Sequence, residues 1–433
     1  MALEAFEVAR DDVAYGVLHG PTGNYPIVAG IPVLRGGDEK VVDHLRSGDL
    51  ATAEALAVVR DLPLSRLDAL GPALADLRPT RALARRLAVR RDRAATARAT
   101  EALTASVTDP DPLLQLAMVD HRKPNVEGYT YFRYRFGLPR HLVALSAMSA
   151  ARPGPEPIVE IGCGAGHLTW QIAELQAPRP VIAIERELSL LWIARRHLAP
   201  DAGFVCADAT ALPLATASCS LGVAVDVLSF ITAKATAVRE LQRVVTPAGG
   251  LLLTSLINAL AEHEYRGEPL APQQWSGLID GLEHRVYDDD ELLDRYLAGR
   301  GPASEESSGP IASRTITMLA GDATLAGTGT SFEGWPHATG RLGPHPLLAP
   351  VADASPGQGD EIILQARPPS PGFMRDNPGL QRYLPAEVRM DPNVIDDVRE
   401  GRASPAVDAL VAGVILLGYP GGPGFDPWPR IGR

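Results

Sequence analysis

The chain has 433 residues, of which 45% are apolar and 21% charged, and its formal net charge is −11. That length suggests two or three domains with a real apolar core, and the acidic balance argues against a nucleic-acid partner, which needs a basic surface. The N-terminus lacks an apolar signal core, and the most apolar run, 409–418, is too short to span a bilayer. Cys163, Cys206 and Cys219 lack metal-ligand spacing. We therefore predict a cytoplasmic protein with reduced thiols, no membrane span and no metal site.

Two small modules are predicted before the main domain. Residues 1–50 include NYPIVAGIPVL (24–34), in which two short apolar runs flank a glycine turn and predict a hairpin. Residues 51–112 are rich in Ala, Leu and Arg and place apolar residues at helical spacing, which predicts a helical linker module. The stretch TDPDP (108–112) marks its boundary. These helices could clamp a larger substrate or a second subunit, so a homodimer is one expected state.

An α/β domain is predicted from residue 113 to residue 369. Its strands are near-continuous apolar runs, as expected for parallel strands covered on both faces, at 157–162, 180–185, 204–208, 221–228 and 250–257. Helical segments alternate with them, which indicates a doubly wound, mostly parallel sheet. We also predict an acidic helix over 287–299, an insertion at about 300–360 and a last strand over 361–369. A C-terminal extension, 370–433, follows, with a helix over 405–418.

A glycine-rich turn follows the first strand of this domain. The stretch VEIGCGAGHLT (159–169) places Gly162, Gly164 and Gly166 between a strand and a helix, where glycines let the backbone approach a ligand. The spacing is G-x-G-x-G and not the G-x-G-x-x-G of dinucleotide-binding proteins. Glu185 ends the second strand, where a carboxylate can accept both ribose hydroxyls. Dinucleotide proteins place an acid similarly, so Glu185 alone does not decide between the cofactors.

Three segments resemble the class I S-adenosylmethionine-dependent methyltransferases. The glycine turn with Glu160 before it resembles motif I of that family. FVCADATALPLATASCSLGVAVDVL (204–228) and RELQRVVTPAGGLLLTSL (239–256) resemble later segments of the same family, in the same order. The resemblance implies a seven-stranded methyltransferase sheet, S-adenosylmethionine as cofactor and methyl transfer as the activity. It also implies that Asp208 contacts the adenine amino group, with the Ala209 backbone beside it.

The resemblance and the residues together give the predicted cofactor contacts. They are Glu160, Gly162, Cys163, Gly164, Gly166, Glu185, Arg186, Asp208, Ala209, Asp226 and Tyr131. Glu160 could reach the ammonium group of the ligand through water. Cys163 also fits as a space filler and His167 as a polar residue at a helix start, instead of reactive groups.

No general base can be carried over from the family. Ser229 and Phe230 stand where many small-molecule methyltransferases carry Glu and His. The catalytic candidates are therefore Asp226, His121 and His263, and the predicted substrate contacts are Tyr129, Arg133, Tyr134 and Tyr265. For Asp226, a structural carboxylate at a strand end is an equal alternative. The segment 119–142 equally fits an amphipathic helix that packs its aromatic residues, and 258–267 a solvated polar run.

The stretch YPIVAGIPVL (25–34) resembles the zinc-ribbon-like element that precedes some bacterial methyltransferase domains, but it lacks the cysteines. The resemblance implies a docking or substrate-presenting element without metal. We expect methyl transfer to O or N of a specialised small molecule or peptide, such as a natural product in a biosynthetic pathway. The alternatives are a methyltransferase-fold binding or scaffold protein without turnover, and a dinucleotide-dependent oxidoreductase.

Overall fold

The computed structural model describes residues 2–9, 12–36, 38–59, 132, 134–152, 154–262, 267–309, 311–351 and 361–421. The strands are β1 Ala2–Ala9, β2 Asp12–Gly20, β3 Gly23–Val28, β4 Ile31–Pro32, β5 Ile158–Ile161, β6 Val181–Glu185, β7 Gly203–Cys206, β8 Cys219–Val225, β9 Val245–Ile257, β10 His284–Asp288, β11 Thr315–Ala320, β12 Arg341–Pro344, β13 Leu348–Pro350, β14 Ile362–Ala366, β15 Glu387–Met390 and β16 Leu416–Tyr419. The α-helices of these ranges are α1 Glu39–Ser47, α2 Leu50–Val59, α3 Pro139–Met148, α4 His167–Leu175, α5 Leu188–Ile193, α6 Lys234–Val244, α7 Pro272–Ser276, α8 Asp289–Leu297, α9 Asp322–Leu325, α10 Pro371–Asp376, α11 Pro392–Arg399 and α12 Pro405–Ala412. Short 3₁₀ turns cover Arg135–Gly137, Leu228–Phe230, Pro336–Ala338 and Pro378–Arg382, and a π-turn covers Ala194–Leu198.

A seven-stranded sheet forms the centre of the molecule, in the order β7-β6-β5-β8-β9-β11-β10. The pairs among β7, β6, β5, β8 and β9 are parallel, whereas β11 is antiparallel to both β9 and β10. Every residue of β5 and β8 is buried, which explains why both strands are continuous apolar runs in the sequence. The predicted doubly wound, mostly parallel seven-stranded sheet is confirmed.

The strand order reverses between β5 and β8. The chain runs from β5 outward to β6 and β7, and then returns to add β8 on the other side of β5. Open α/β sheets bind ligands at such a point, outside the carboxyl ends of the strands. The glycine turn after β5 and the acids after β6, β7 and β8 all lie at this edge.

Three elements after residue 300 differ from the sequence prediction. The strand predicted over 361–369 exists as β14, but it belongs to a separate three-stranded sheet with β13 and β15. The main sheet ends instead with β10 and β11, so the predicted insertion contains one of its strands. β11 is a short Thr-containing strand inside a Ser-, Gly- and Pro-rich region, and its burial comes from β9 and β10 rather than from local pattern. The helix predicted over 405–418 ends at Ala412, because Val414 has φ 58° and the chain continues as β16 against β12.

The predicted N-terminal hairpin is present as β3 and β4, and it is part of a larger four-stranded antiparallel sheet, β1-β2-β3-β4. This sheet reaches the edge of the main sheet, where Val33 bridges Cys206 in parallel and the Leu34 N–H donates to the Cys206 carbonyl at 2.8 Å. Of the predicted helical linker module, α2 lies in the described part, and 60–112 lies outside it. Within the described part of the chain, no helix is long and apolar enough to cross a membrane.

Candidate active site

The turn after β5 adopts a backbone that favours glycine. Gly162, Gly164 and Gly166 have φ of 67°, 54° and 82°, in the left-handed region. A Cβ on Gly162 would overlap the Val227 side chain, and one on Gly166 would lie 2.7 Å from the Cβ of Ala194. The sequence therefore needs glycine here both for conformation and for space, and the turn stays open to a ligand.

Glu185 ends β6 beside this turn. Its Oε2 accepts the Gly164 N–H at 3.3 Å, and its Oε1 accepts the N–H groups of Arg186 at 2.7 Å and Glu187 at 3.3 Å. Burial raises the pKa of Glu185, and the three backbone N–H groups oppose that rise. The carboxylate is thus fixed at the mouth of the glycine turn, where it can accept ribose hydroxyls.

Asp208 lies two residues past the end of β7. Its Oδ1 accepts the Thr210 N–H at 2.8 Å and the Thr210 hydroxyl at 2.6 Å, and these bonds lower the pKa of Asp208. Asp208 is exposed, so its second oxygen is accessible to a ligand amino group. An ionised carboxylate at this place suits the exocyclic amine of adenine.

A cavity of about 510 Å³ lies over the carboxyl ends of β5, β6 and β7. Five predicted cofactor residues line it: Gly162, Glu185, Arg186, Asp208 and Ala209. Ile184 and Val227 add apolar walls. The glycine turn, the Glu185 and Asp208 carboxylates and the apolar walls fit a ligand that has an amino-acid end, a ribose and an adenine.

Glu160, Cys163 and His167 are buried at this turn and do not line the cavity. Glu160 is buried and accepts the Thr169 hydroxyl at 2.6 Å, and burial raises the pKa of Glu160 to about 7. Burial also raises the pKa of the Cys163 thiol, so the thiol stays protonated. His167 lies with Nε2 2.8 Å from the Phe132 carbonyl, and burial lowers the pKa of His167 to about 3. His167 is thus a neutral, hydrogen-bonded residue at the start of α4.

A second cavity, of about 350 Å³, adjoins the first, because Phe230 lines both. The Phe230 ring is 55% exposed and stands at the boundary between them. Polar residues from distant parts of the chain line the second cavity, among them Arg140, Asp226, Ser255, Asp289, Arg314 and Asn377. Its polar lining can receive a polar ligand beside the first cavity.

Asp226 lines the second cavity and does not line the first. It follows β8 with φ 57°, and its Oδ2 accepts from Arg135 at 3.1 Å and Arg140 at 2.9 Å. Burial alone would raise the pKa of Asp226, but the two guanidinium groups outweigh burial and lower it. A carboxylate paired with two cations is a weak base, which favours a structural role over the catalytic or cofactor roles predicted for it.

The other predicted substrate and catalytic residues, with the predicted cofactor contact Tyr131, divide into two groups. Tyr134 packs edge-on against Phe373 at 5.6 Å between ring centroids and lines neither cavity. The remaining ones lie outside the described residues: His121, Tyr129, Tyr131, Arg133, His263 and Tyr265. Their roles stay predictions.

Sequence reasoning missed most of the second cavity. Asp289 lies in the predicted acidic helix, and Arg140 lies near the end of the basic, aromatic segment 119–142. Both therefore had a signal that pointed to a function without specifying it. Ser255 sits inside an apolar strand, and the contribution of 376–379 comes from the C-terminal extension. No spacing in the sequence connects these positions.

Residues 159–253 match the family model described as a methyltransferase domain. The chain carries a class I methyltransferase domain. The parallel strands from β5 to β8, the glycine turn and the acids after β6 and β7 lie in this domain, whereas β10 and β11 follow it. The cofactor of a methyltransferase domain of this class is S-adenosylmethionine. The predicted family, enzyme class and cofactor are thereby confirmed at the level of the domain.

Curated relatives of the methyltransferase domain are malonyl-[acyl-carrier protein] O-methyltransferases. That of Marinomonas sp. (strain MWYL1) is 28% identical over 145 residues, 33% of this chain and 51% of the relative. That of Halorhodospira halophila is 29% identical over 157 residues, 35% of this chain and 50% of the relative. The chain thus spans about half the length of the curated relatives it matches. A methyltransferase structure from Thermotoga maritima, described as a possible histamine N-methyltransferase, is 18% identical, with a TM-score of 0.33 over 44% of this chain and 92% of that one.

Proposed function

We propose that this chain is an enzyme that transfers a methyl group from S-adenosylmethionine to an oxygen or nitrogen of a specialised acceptor. The observation that carries the proposal is the pair of adjoining cavities, one lined by the cofactor acids and the other by polar groups, with Phe230 at their boundary. Methyl transfer needs the two reactants aligned in one enclosed place, and little covalent help from the protein.

The residues of the first cavity have distinct roles in this proposal. S-adenosylmethionine supplies a methyl group on a positively charged sulfur. Glu185 accepts the ribose hydroxyls, Asp208 accepts from the adenine amine, and the glycine turn approaches the amino-acid end of the ligand. The Phe230 ring excludes water at the boundary, and the face of an aromatic ring attracts a nearby cation.

Two features support the class of acceptor. The curated relatives are named for O-methylation, which supports an oxygen acceptor. The C-terminal extension supplies 376–379 to the second cavity, so the acceptor pocket is built partly by a segment outside the methyltransferase domain. Such a specialised pocket suits a natural product or a peptide of a biosynthetic pathway as the acceptor. A homodimeric state is compatible with this pocket.

The three cysteines are free and buried, which supports a reducing cytoplasm as the compartment of the protein.

Calorimetric titration with S-adenosylmethionine and S-adenosylhomocysteine tests this proposal, with NAD as the control ligand. We expect micromolar binding of the first two, weakened about tenfold or more in Glu185→Gln and Asp208→Asn, because a hydrogen bond to a charged group contributes roughly 1.5–3 kcal/mol. Glu283 immediately precedes β10, and its side chain is 76% exposed. Glu283→Gln should therefore bind both ligands like the wild type. Binding of NAD instead of the other two would contradict the proposal.

Binding and turnover must be separated, since a scaffold protein with this fold would also bind the cofactor. Incubation of the protein with radiolabelled S-adenosylmethionine and a metabolite and peptide extract of the encoding organism makes that separation. Label in an acceptor supports the enzyme. Tight cofactor binding with no label in any fraction would favour the scaffold alternative.

A further inference from the structure

Asp289 places an unusual carboxyl group in the second cavity. It is the first residue of α8, is 5% exposed, and lines the cavity. Its Oδ1 accepts the Thr317 hydroxyl at 2.6 Å, but its Oδ2 has no hydrogen-bond partner among the described residues. A buried carboxyl oxygen without a partner is costly, so its presence calls for a ligand or a function.

A second buried polar group lies in the same cavity. Ser255, on β9, is 3% exposed and has φ 56°, and its hydroxyl has no hydrogen-bond partner among the residues that the structure describes. A non-glycine residue that has a positive φ and lines a cavity is typical of functional sites. Two independent unsatisfied groups thus lie where a polar acceptor would bind.

The environment of Asp289 allows its carboxyl group to change protonation near neutral pH. Burial raises the pKa of Asp289 to about 7, and the hydroxyls of Thr317 and Thr315 partly offset that rise. Asp288 at the end of β10 and Asp290 on α8 flank it, and Asp290 pairs with Arg382 at 3.2 Å. Of the cations that line the cavity, Arg140 on α3 pairs with Asp226, and Arg314 before β11 donates to the Arg375 carbonyl at 3.1 Å. The carboxyl is therefore close to half-ionised near neutral pH.

We propose that Asp289 is the general base of this site and that the acceptor it serves is a hydroxyl or an amine, not a carboxylate. This inference rests on the proposed methyl transfer. As the acceptor atom forms its bond to the methyl carbon, the carbon–sulfur bond breaks and its electron pair stays on sulfur. The acceptor's proton passes to Asp289 Oδ2 and later to solvent.

The lining of the cavity disfavours a carboxylate acceptor. A carboxylate carries no proton at neutral pH and needs no base, whereas it does need a cation that is free to pair with it. Four carboxyl groups line this cavity, Asp226, Asp289, Asp290 and Asp376, against two guanidinium groups, Arg140 and Arg314. Arg140 already pairs with Asp226, so an added carboxylate would meet a surplus of negative charge. The acceptor class would then differ from the malonyl group named for the curated relatives.

The extract experiment also identifies the acceptor class when its product is treated with mild alkali. A methyl ester releases its label as volatile methanol, whereas a methyl ether or an N-methyl group keeps it. We expect alkali-stable label. Alkali-labile label would overturn this inference and leave the proposed function intact, and failure of S-adenosylmethionine to bind would overturn both.

The role of Asp289 is tested with Asp289→Asn against Asp294→Asn, a matched change on the exposed face of the same helix. We expect Asp289→Asn to transfer label about 100-fold more slowly, within the usual range for a lost general base. Its dissociation constant for S-adenosylmethionine should be unchanged. The wild-type rate should rise with pH to a plateau above about 7, and the variant should lose that rise. Equal rates for the two variants, or a pH profile that persists in Asp289→Asn, would overturn the proposal.

Discussion

Two carboxylates in the second cavity illustrate how environment assigns roles to identical side chains. Asp226 and Asp289 are both largely buried, and burial alone would raise the pKa of each. Two arginines reverse the effect at Asp226, whereas Asp289 receives hydroxyls only and keeps a pKa of about 7. Pairs of groups whose pKa values are pushed apart in one site mark which one exchanges protons. The local partners, and not the residue type, distinguish Asp289 from Asp226.

The raised pKa of Asp289 predicts a pH-dependent stability. The folded state keeps the proton up to about pH 7, whereas an unfolded Asp loses it near 3.8. The stabilisation is therefore complete below about pH 4, and it is lost as pH rises toward 7, by roughly 1.4 kcal/mol per pH unit at most. Asp289→Asn cannot ionise. Relative to the wild type, its free energy of unfolding should thus rise by roughly 2–4 kcal/mol between pH 5 and pH 8.

Urea unfolding at a series of pH values measures this difference. Taking the difference between the two proteins removes the contribution of other titrating groups, such as Glu160. Asp294→Asn, at an ion-paired side chain that is 63% exposed, is the reference for the same chemical change on the same helix. A flat difference for Asp289→Asn would show that Asp289 does not titrate in this range.

At the scale of elements, Glu54 on α2 connects the N-terminal module to the main sheet. Its Oε1 accepts the Trp192 indole N–H at 2.6 Å from α5, and its Oε2 accepts the Tyr15 hydroxyl from β2. The Arg196 guanidinium lies over the Trp192 ring at 4.6 Å. One carboxylate thus satisfies two donors from two different elements.

We predict that Glu54→Ala lowers the free energy of unfolding by roughly 1–3 kcal/mol, because it leaves two partly buried donors without their acceptor. The matched control is Asp43→Ala, at an exposed position on the neighbouring helix α1, which should change stability by less than about 0.5 kcal/mol. Thermal or urea unfolding checks both. Equal stabilities of the two variants would mean that the module does not depend on this contact.

The sequence predicted some elements well, and the reason is physical. β5, β6, β7, β8 and β9 are covered on both faces, so each is an apolar run that can be read without knowledge of its partners. β11 and β14 are both short, and the sequence does not say which strand either one pairs with. The sequence therefore predicts β14 as the last strand of the main sheet, whereas the structure has β11 and β10 at that edge.

At the scale of the whole molecule, the two cavities differ in how the chain builds them. The first collects most of its residues from 162–210, within one motif series, so its main contacts could be predicted from local spacing. The second brings together 139–143, 226–230, 255–257, 289–293, 312–315 and 376–379. Segments so far apart carry no common spacing, so only the folded chain shows that they meet.

The segment 376–379 makes the acceptor cavity depend on the C-terminal extension. Gly379 packs so closely that a Cβ there would lie 2.9 Å from the Leu293 Cδ2 and 2.9 Å from the Pro139 Cβ. The proline ring is rigid, and Leu293 is buried. Nearby, the Asn377 Oδ1 accepts from Arg140 at 3.4 Å. A larger residue at 379 must therefore move this segment away from the cavity wall.

We predict that Gly379→Ala lowers the free energy of unfolding by roughly 1–3 kcal/mol, as overpacking does, and slows label transfer to the extract acceptor several-fold. Binding of S-adenosylmethionine should stay unchanged, because the first cavity contains no residue of this segment. Gly372→Ala is the matched control, since its Cβ would meet its neighbours at 3.6 Å or more, an ordinary contact. If both variants transferred label at the wild-type rate, the C-terminal extension would not shape the acceptor site. If Gly379→Ala weakened cofactor binding as well, the two cavities would be coupled more tightly than their separate linings indicate.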